Sequence, residues 1–113
     1  MRTLYTIHPT DAKKLQEVIA QMSILGSPTI RAVECSDYLM ALEGTHRIAA
    51  AAVLSLPINL VILEQYDIVQ SDSLDWQDLE PGESYTAGFL AGEAFNRTSG
   101  IYHLQNDYTV EAV

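Results

Sequence analysis

Tyr38-Leu39-Met40-Ala41-Leu42 is a short apolar run, Glu43-Gly44-Thr45-His46-Arg47 is a polar loop, and Ile48-Ala49-Ala50-Ala51-Ala52-Val53-Leu54-Ser55-Leu56 favours a helix up to Pro57. Strand, glycine loop and helix therefore follow in direct succession. Pro57 ends the helical segment because it has no N–H to donate and clashes with the preceding turn. Ile58 to Leu63 then continues as an aliphatic run with one Asn, the pattern of a strand buried on both faces.

The segments upstream fit the same plan. Leu4-Tyr5-Thr6-Ile7 reads as a short strand, and His8-Pro9-Thr10-Asp11 supplies a turn and a capping side chain. Ala12, Leu15, Val18, Ile19 and Met22 recur at helical spacing, with Lys13, Lys14, Gln16, Glu17 and Gln21 between them, so a one-sided helix is expected to stop near Gly26. Thr29 to Glu34 is extended in character and, across a turn at Cys35-Ser36-Asp37, forms a hairpin with Tyr38 to Leu42. Downstream, Asp67, Asp72, Asp75, Asp78 and Glu80 punctuate a segment of little periodicity, read as an acidic surface connection with a short helical turn around Trp76 and core closure by that ring. Ser84 to Phe95 is expected to be a helix capped by Ser84 and anchored by Tyr85, Phe89 and Phe95. Ile101 to Val113 alternates like a strand around Tyr102 and Leu104. The expectation is one mixed α/β (α+β) domain over residues 1–113.

Composition narrows the function classes. Of 113 residues, 48% are hydrophobic, enough for an ordinary core that removes roughly two-thirds of the extended chain's surface from water. Six Lys and Arg against 15 Asp and Glu give a formal charge of −9, which argues against direct nucleic-acid binding through phosphate neutralisation. A small anionic ligand is a separate matter, since a few cations and backbone N–H groups suffice for it. Cys35 is the only cysteine, so there is no intramolecular disulfide and a reducing, cytoplasmic setting is the expectation. The N-terminus reaches polar residues almost at once and lacks the apolar stretch of a signal peptide, and no segment approaches the length of a membrane-spanning helix.

The loop is where the chemistry concentrates. A glycine between strand and helix lets the backbone approach a ligand, and the helix's first turn offers unpaired N–H groups at the positive end of its dipole. Phosphate suits that geometry. Arg47 adds a planar bidentate charge, His46 a second donor or a proton carrier, Thr45 a hydroxyl, and Glu43 a group to hold Arg47, a metal ion or a proton. A structural reading stands beside each: Glu43 with Arg47 as an ion pair, Thr45 as an N-cap, His46 as an exposed helix-start residue. His8, His46 and His103 lack the spacing of a helical metal pair.

The order from Leu4 to Leu63 resembles the ParB/sulfiredoxin superfamily. Gly26-Ser27-Pro28-Thr29-Ile30-Arg31 is similar to that family's strand entry, Tyr38 to Leu42 to its second hairpin strand, and Glu43-Gly44-Thr45-His46-Arg47 with Ile48-Ala49-Ala50 to its phosphate loop. Residues 1–64 would be the family-like core, and 65–113 the acidic connection, helix and strand-like tail. The resemblance implies a nucleotide or other phosphorylated small molecule as partner, held by Gly44, Thr45, His46 and Arg47 with Arg31 as a second cation. It also implies Mg2+ with ATP, ADP or CTP, and phosphoryl transfer or NTP hydrolysis in which Glu43 and His46 take the catalytic roles. Sulfiredoxins carry a reactive cysteine where this chain has Thr45, so sulfinic acid reduction is not implied. The free-serine kinases of the same superfamily have an acidic-Gly-His-His-Arg loop, from which Thr45 departs. The alternative of another class is a non-catalytic module that senses a nucleotide or binds a protein partner.

Overall fold

A computed structural model describes residues 2–104 and the backbone of 108–110. The first strand, Arg2–Ile7 (β1), leads through a turn into a helix at Ala12–Leu25 (α1), whose N-cap Asp11 accepts the Lys14 N–H at 2.8 Å. Leu15, Val18, Ile19 and Met22 are the side chains α1 turns toward the core. Gly26 closes the helix at φ +84°, a left-handed φ open to glycine, and returns its N–H to the Met22 carbonyl. The hairpin strands are Thr29–Glu34 (β2) and Leu39–Ala41 (β3), followed by a helix at Thr45–Leu54 (α2) and a strand at Ile58–Leu63 (β4).

These strands belong to one mixed sheet in the order β7-β1-β3-β2-β4-β8, where β7 is Thr98–Leu104 and β8 is Tyr108–Val110. β1 runs parallel to β3 and antiparallel to β7; β2 is antiparallel to β3 and parallel to β4, which is parallel to β8. Successive residues of a strand face opposite ways, so one hydrophobic cluster forms on each side. Ile30, Ala32, Leu39 and Leu60 join α1 and α2 on one side. Val33, Met40, Leu42 and Leu63 meet Trp76 and the third helix, Ala87–Phe95 (α3), on the other. The molecule is thus a mixed α+β fold with three α-helices among the described residues, none of them long and apolar enough to cross a membrane.

Several expectations shift. The loop residues Thr45, His46 and Arg47 are already the first turn of α2, which begins earlier than Ile48. The acidic connection is more ordered than its spacing suggested: Ile68–Gln70 (β5) and Ser84–Thr86 (β6) pair as a ribbon, and the short helical turn is at Ser71–Ser73 rather than at Trp76. Ser84 is a ribbon residue opposite Gln70, so α3 starts three residues later with Thr86 as its cap, the hydroxyl accepting from Phe89 N at 3.2 Å. The anchors of α3 also differ. Ala87, Leu90, Ala91 and Ala94 are buried, whereas Phe89 and Phe95 are half exposed, because small side chains let the helix approach the sheet closely and turn its aromatics outward. The strand around Tyr102 and Leu104 finds its partner in β1, with Arg2 opposite Leu104. The expected tail also included 105–107 and 111–113, which lie outside the described residues.

Candidate functional site

β1 and β3 run parallel, and each hands its chain to a helix at its carboxyl end, so the entries to α1 and α2 converge beside one another. The crevice outside such strand ends is a common ligand position in α/β sheets. Here it is a cavity of about 510 Å3. Glu43, Gly44, Thr45, His46 and Arg47 all line it, so the structure brings the loop residues of the sequence reading to one place.

Local bonds fix each member. Gly44 adopts φ +78°, and a Cβ there would lie 2.2 Å from Ile30 Cδ1. The glycine is required by the left-handed turn and by contact with β2, which is a packing reason in addition to any ligand reason. Thr45 Oγ1 donates to the Ile7 carbonyl, tying α2 to the end of β1. His46 Nε2 accepts the Asp11 N–H at 2.9 Å, which links the first turn of α2 to the cap of α1 and requires an unprotonated Nε2. Arg47 makes one hydrogen bond among the described residues, from Nη1 to the Thr29 carbonyl at 3.3 Å. Gly44 gives α2 no side-chain cap, in contrast to Asp11 on α1. The N–H groups of Thr45, His46 and Arg47 have no intrahelical acceptor by the geometry of any helix start.

Arg31 is placed elsewhere. Its guanidinium grips Glu43 from two nitrogens, Nε to Oε2 at 2.8 Å and Nη2 to Oε1 at 3.0 Å, while its backbone N–H reaches Oε2 at 3.1 Å. It also donates to the Ser73 hydroxyl and carbonyl, at 3.0 and 2.8 Å, and it does not line the cavity. Glu43 therefore pairs with Arg31, two strands' worth of chain away, and not with Arg47. Burial alone would raise the Glu43 carboxyl, but the Arg31 hydrogen bonds and the charges of Arg31 and Arg47 outweigh it and hold the group below its usual range. The Arg31 guanidinium is raised, first by the same hydrogen bond.

A carboxyl whose folded pKa is depressed contributes stability above its unfolded value, near pH 4.3, and loses it as pH falls through the lowered folded value. Glu43→Gln is expected to lower stability at neutral pH by roughly 2 kcal/mol, the scale of a charged hydrogen-bond network, and to flatten the decline below about pH 4. Urea titrations at a series of pH values check it; a variant whose acid limb parallels the wild type would remove Glu43 from the account.

The cavity also holds residues that the sequence reading placed elsewhere. Lys14, read as part of the solvent stripe of α1, lines it, as do Ser73, Asp75 and Trp76 from the connection and Val18 and Met22 from α1. The sequence signal for Lys14 was its place in the first turn after the Asp11 cap; nothing local revealed that this turn meets α2. Trp76 is 9% exposed and donates from Nε1 to the Leu42 carbonyl at 2.8 Å, with Arg97 over its ring at 5.6 Å. Arg97 in turn pairs with Asp78. His8, at the cavity wall, holds φ +63°, an uncommon value for a side-chain-bearing residue.

Among the described residues no group of three or more His, Cys, Asp and Glu could hold a metal ion. Magnesium needs less from the protein, since one or two carboxylates plus the phosphates of a nucleotide suffice, and Glu43 and Asp75 are the carboxylates lining the cavity. Comparison with protein-family models, curated proteins and solved structures finds no match to this chain.

Proposed function

We propose that the protein binds the phosphate of a nucleotide or similar small molecule at the entry to α2, in the manner of a ParB/sulfiredoxin-like domain. The observation that carries the reading is the meeting, in one cavity, of the uncapped first turn of α2 with Arg47 and Lys14. Helix N–H groups and two cations are what a phosphate requires, and they act locally within a chain of charge −9. The half-buried Val18 and the exposed Leu25, both from α1, line the same cavity and offer an apolar surface to the body of such a ligand. The family reading is supported by the order of elements, with β1, α1, the Gly26-to-Pro28 entry, the β2–β3 hairpin and the loop into α2 falling on the residues that carry the resemblance.

Binding without turnover is the form the contacts favour. Glu43 is committed to Arg31, and His46 Nε2 to the Asp11 N–H, so neither catalytic candidate is a free acid or base in this arrangement. A second reading, magnesium-dependent phosphoryl transfer or hydrolysis, is supported by Glu43 and Asp75 lining the cavity together. There the ion would offset phosphate charge, while Arg47 and the helix amides position the transferred group.

Thermal unfolding of wild type, Arg47→Ala and Lys14→Ala with ATP, ADP, CTP and GTP, with and without magnesium, tests both. A ligand at roughly one hundred times its dissociation constant adds about 2.7 kcal/mol, a shift of very roughly 10 °C for a domain of this size. The expected result is a shift with one or more nucleotides that is lost in Arg47→Ala and reduced in Lys14→Ala. Equal shifts in all three proteins, or none with any nucleotide at saturating millimolar concentration, would overturn the proposal. Release of altered nucleotide separates the catalytic reading from the binding one.

A further inference from the structure

β7 is an edge of the six-stranded sheet and pairs, among the described residues, with β1 alone. Alternate N–H and C=O groups of such a strand point away from its neighbour, and proteins guard that row with short strands, charges, proline or a covering segment. β8, the opposite edge, is three residues long. β7 is seven, and Thr98-Ser99-Gly100-Ile101-Tyr102-His103-Leu104 contains no Asp, Glu, Lys, Arg or Pro in a chain where 19% of residues are charged. One guard stands near its start. Thr6 lies opposite Gly100 and Ile7 opposite Thr98, so Ser99 is an extra residue, a bulge that leaves residues 100–104 as the regular stretch.

Beside this edge the sheet carries exposed apolar surface whose members adjoin one another. Ile101, 54% exposed, stands opposite Tyr5, and directly opposed residues of an antiparallel pair share a face. Tyr5 in turn stacks on Tyr38, with ring centroids 4.5 Å apart, and on Phe95 at 6.1 Å, itself 48% exposed. The patch therefore runs from the edge strand across β1 to the end of α3. His103, two residues along from Ile101, is exposed on the same face.

Residues 100–104 complement the same stretch read in reverse. In an antiparallel pairing about a two-fold axis, with Tyr102 opposite its own copy, Ile101 meets the partner's His103 and Gly100 meets the partner's Leu104, each pair occurring twice. Small then faces large and aromatic faces aromatic. No carboxylate lies opposite a carboxylate along the paired residues, although each chain carries a formal charge of −9. Side-chain faces and outward backbone groups both repeat every second residue, so an axis at Tyr102 brings like faces and free N–H and C=O groups together. We propose that β7 pairs antiparallel with β7 of a second copy, forming a homodimer whose sheet is continuous across both protomers and in which Ile101 is covered. No residue of β7 lines the cavity at α2, so the interface and the ligand site are built from different residues.

Sedimentation of the full chain over a range of concentrations tests this. Wild type is expected to pass from monomer to dimer as concentration rises, with the amide signals of residues 98–104 changing alongside in an isotopically labelled sample. Ile101→Lys removes the apolar contact at two equivalent places and should weaken the dimer about tenfold or more, while the variant keeps the wild-type circular dichroism because Ile101 is exposed. Adding His103→Glu to Ile101→Lys sets lysine opposite glutamate twice and should restore a dimer, one that weakens as salt is raised. A chain that stays monomeric to millimolar concentration, a dimer indifferent to Ile101→Lys, or a double variant that does not regain the dimer would overturn the proposal. So would a monomer that instead takes up a synthetic strand of alternating valine and threonine along β7, which would make a foreign strand the occupant.

Discussion

Trp76→Ala is expected to destabilise the protein by about 3–5 kcal/mol, the range for removing a buried aromatic from a packed site. Three contacts go at once: the ring's place in the cluster with Met40, Leu42 and α3, the bond from Nε1 to the Leu42 carbonyl, and the platform beneath Arg97. Leu42 immediately precedes Glu43, so the loss falls on the strand end that presents the loop. The loop's own geometry should suffer with the global stability. Trp76→Phe separates the terms, because it keeps most of the ring and leaves the Leu42 carbonyl without its donor; about 1–3 kcal/mol is expected for that alone. Denaturant midpoints of the three proteins, compared at a common slope, decide the matter. A tryptophan that could be truncated for less than the phenylalanine change would not be closing this core.

Gly44→Ala should cost about 2–5 kcal/mol. Left-handed backbone strain accounts for roughly 1–2 kcal/mol when a side chain is added, and overpacking against Ile30, which is fully buried, for roughly 1–3 more. Gly82 offers an internal control, since its φ of +74° carries the strain but no atom lies within 4 Å of the added carbon. Gly82→Ala should therefore show the strain without the clash. In thermal unfolding the two variants ought to differ by several degrees, Gly44→Ala being the lower. Equal midpoints would mean that Ile30 yields freely and that the turn, not the packing, is what keeps a glycine there.

The sequence was legible where local chemistry and tertiary packing agree. Asp11, Gly26 and Pro57 punctuate α1 and α2 by mechanisms confined to a few residues, and the aliphatic run of β4 was found at its observed bounds. It was misleading where a residue has two good local uses. Ser84 is a competent helix cap, but Thr86 fills that role because the ribbon partner Gln70 claims Ser84. Tyr85 does pack against the core from the ribbon, but Phe89 and Phe95, anchors by size, are half exposed, and the alanines of α3 win by allowing close approach. Arg31 shows the limit most clearly. Its charge suited a phosphate as well as it suited Glu43, and only the antiparallel pairing of β2 with β3, which brings Arg31 beside the end of β3, settles which it meets. Lys14 was unreadable for the same reason: α1 meets α2 through a shared hydrophobic cluster and the bond from Asp11 N–H to His46, tertiary contacts that no periodicity encodes.

The pairing of β1 has a consequence for how the chain comes to be folded. β1 is flanked by β3 and β7, and its register with β7 sets Arg2 opposite Leu104 and Tyr5 opposite Ile101. β1 therefore gains both neighbours only after β7, far later in the chain, has been made, and until then its backbone groups on that side stay unpaired. Closing so long a loop is slow, and an unpaired strand is prone to pair with the wrong partner in the interval.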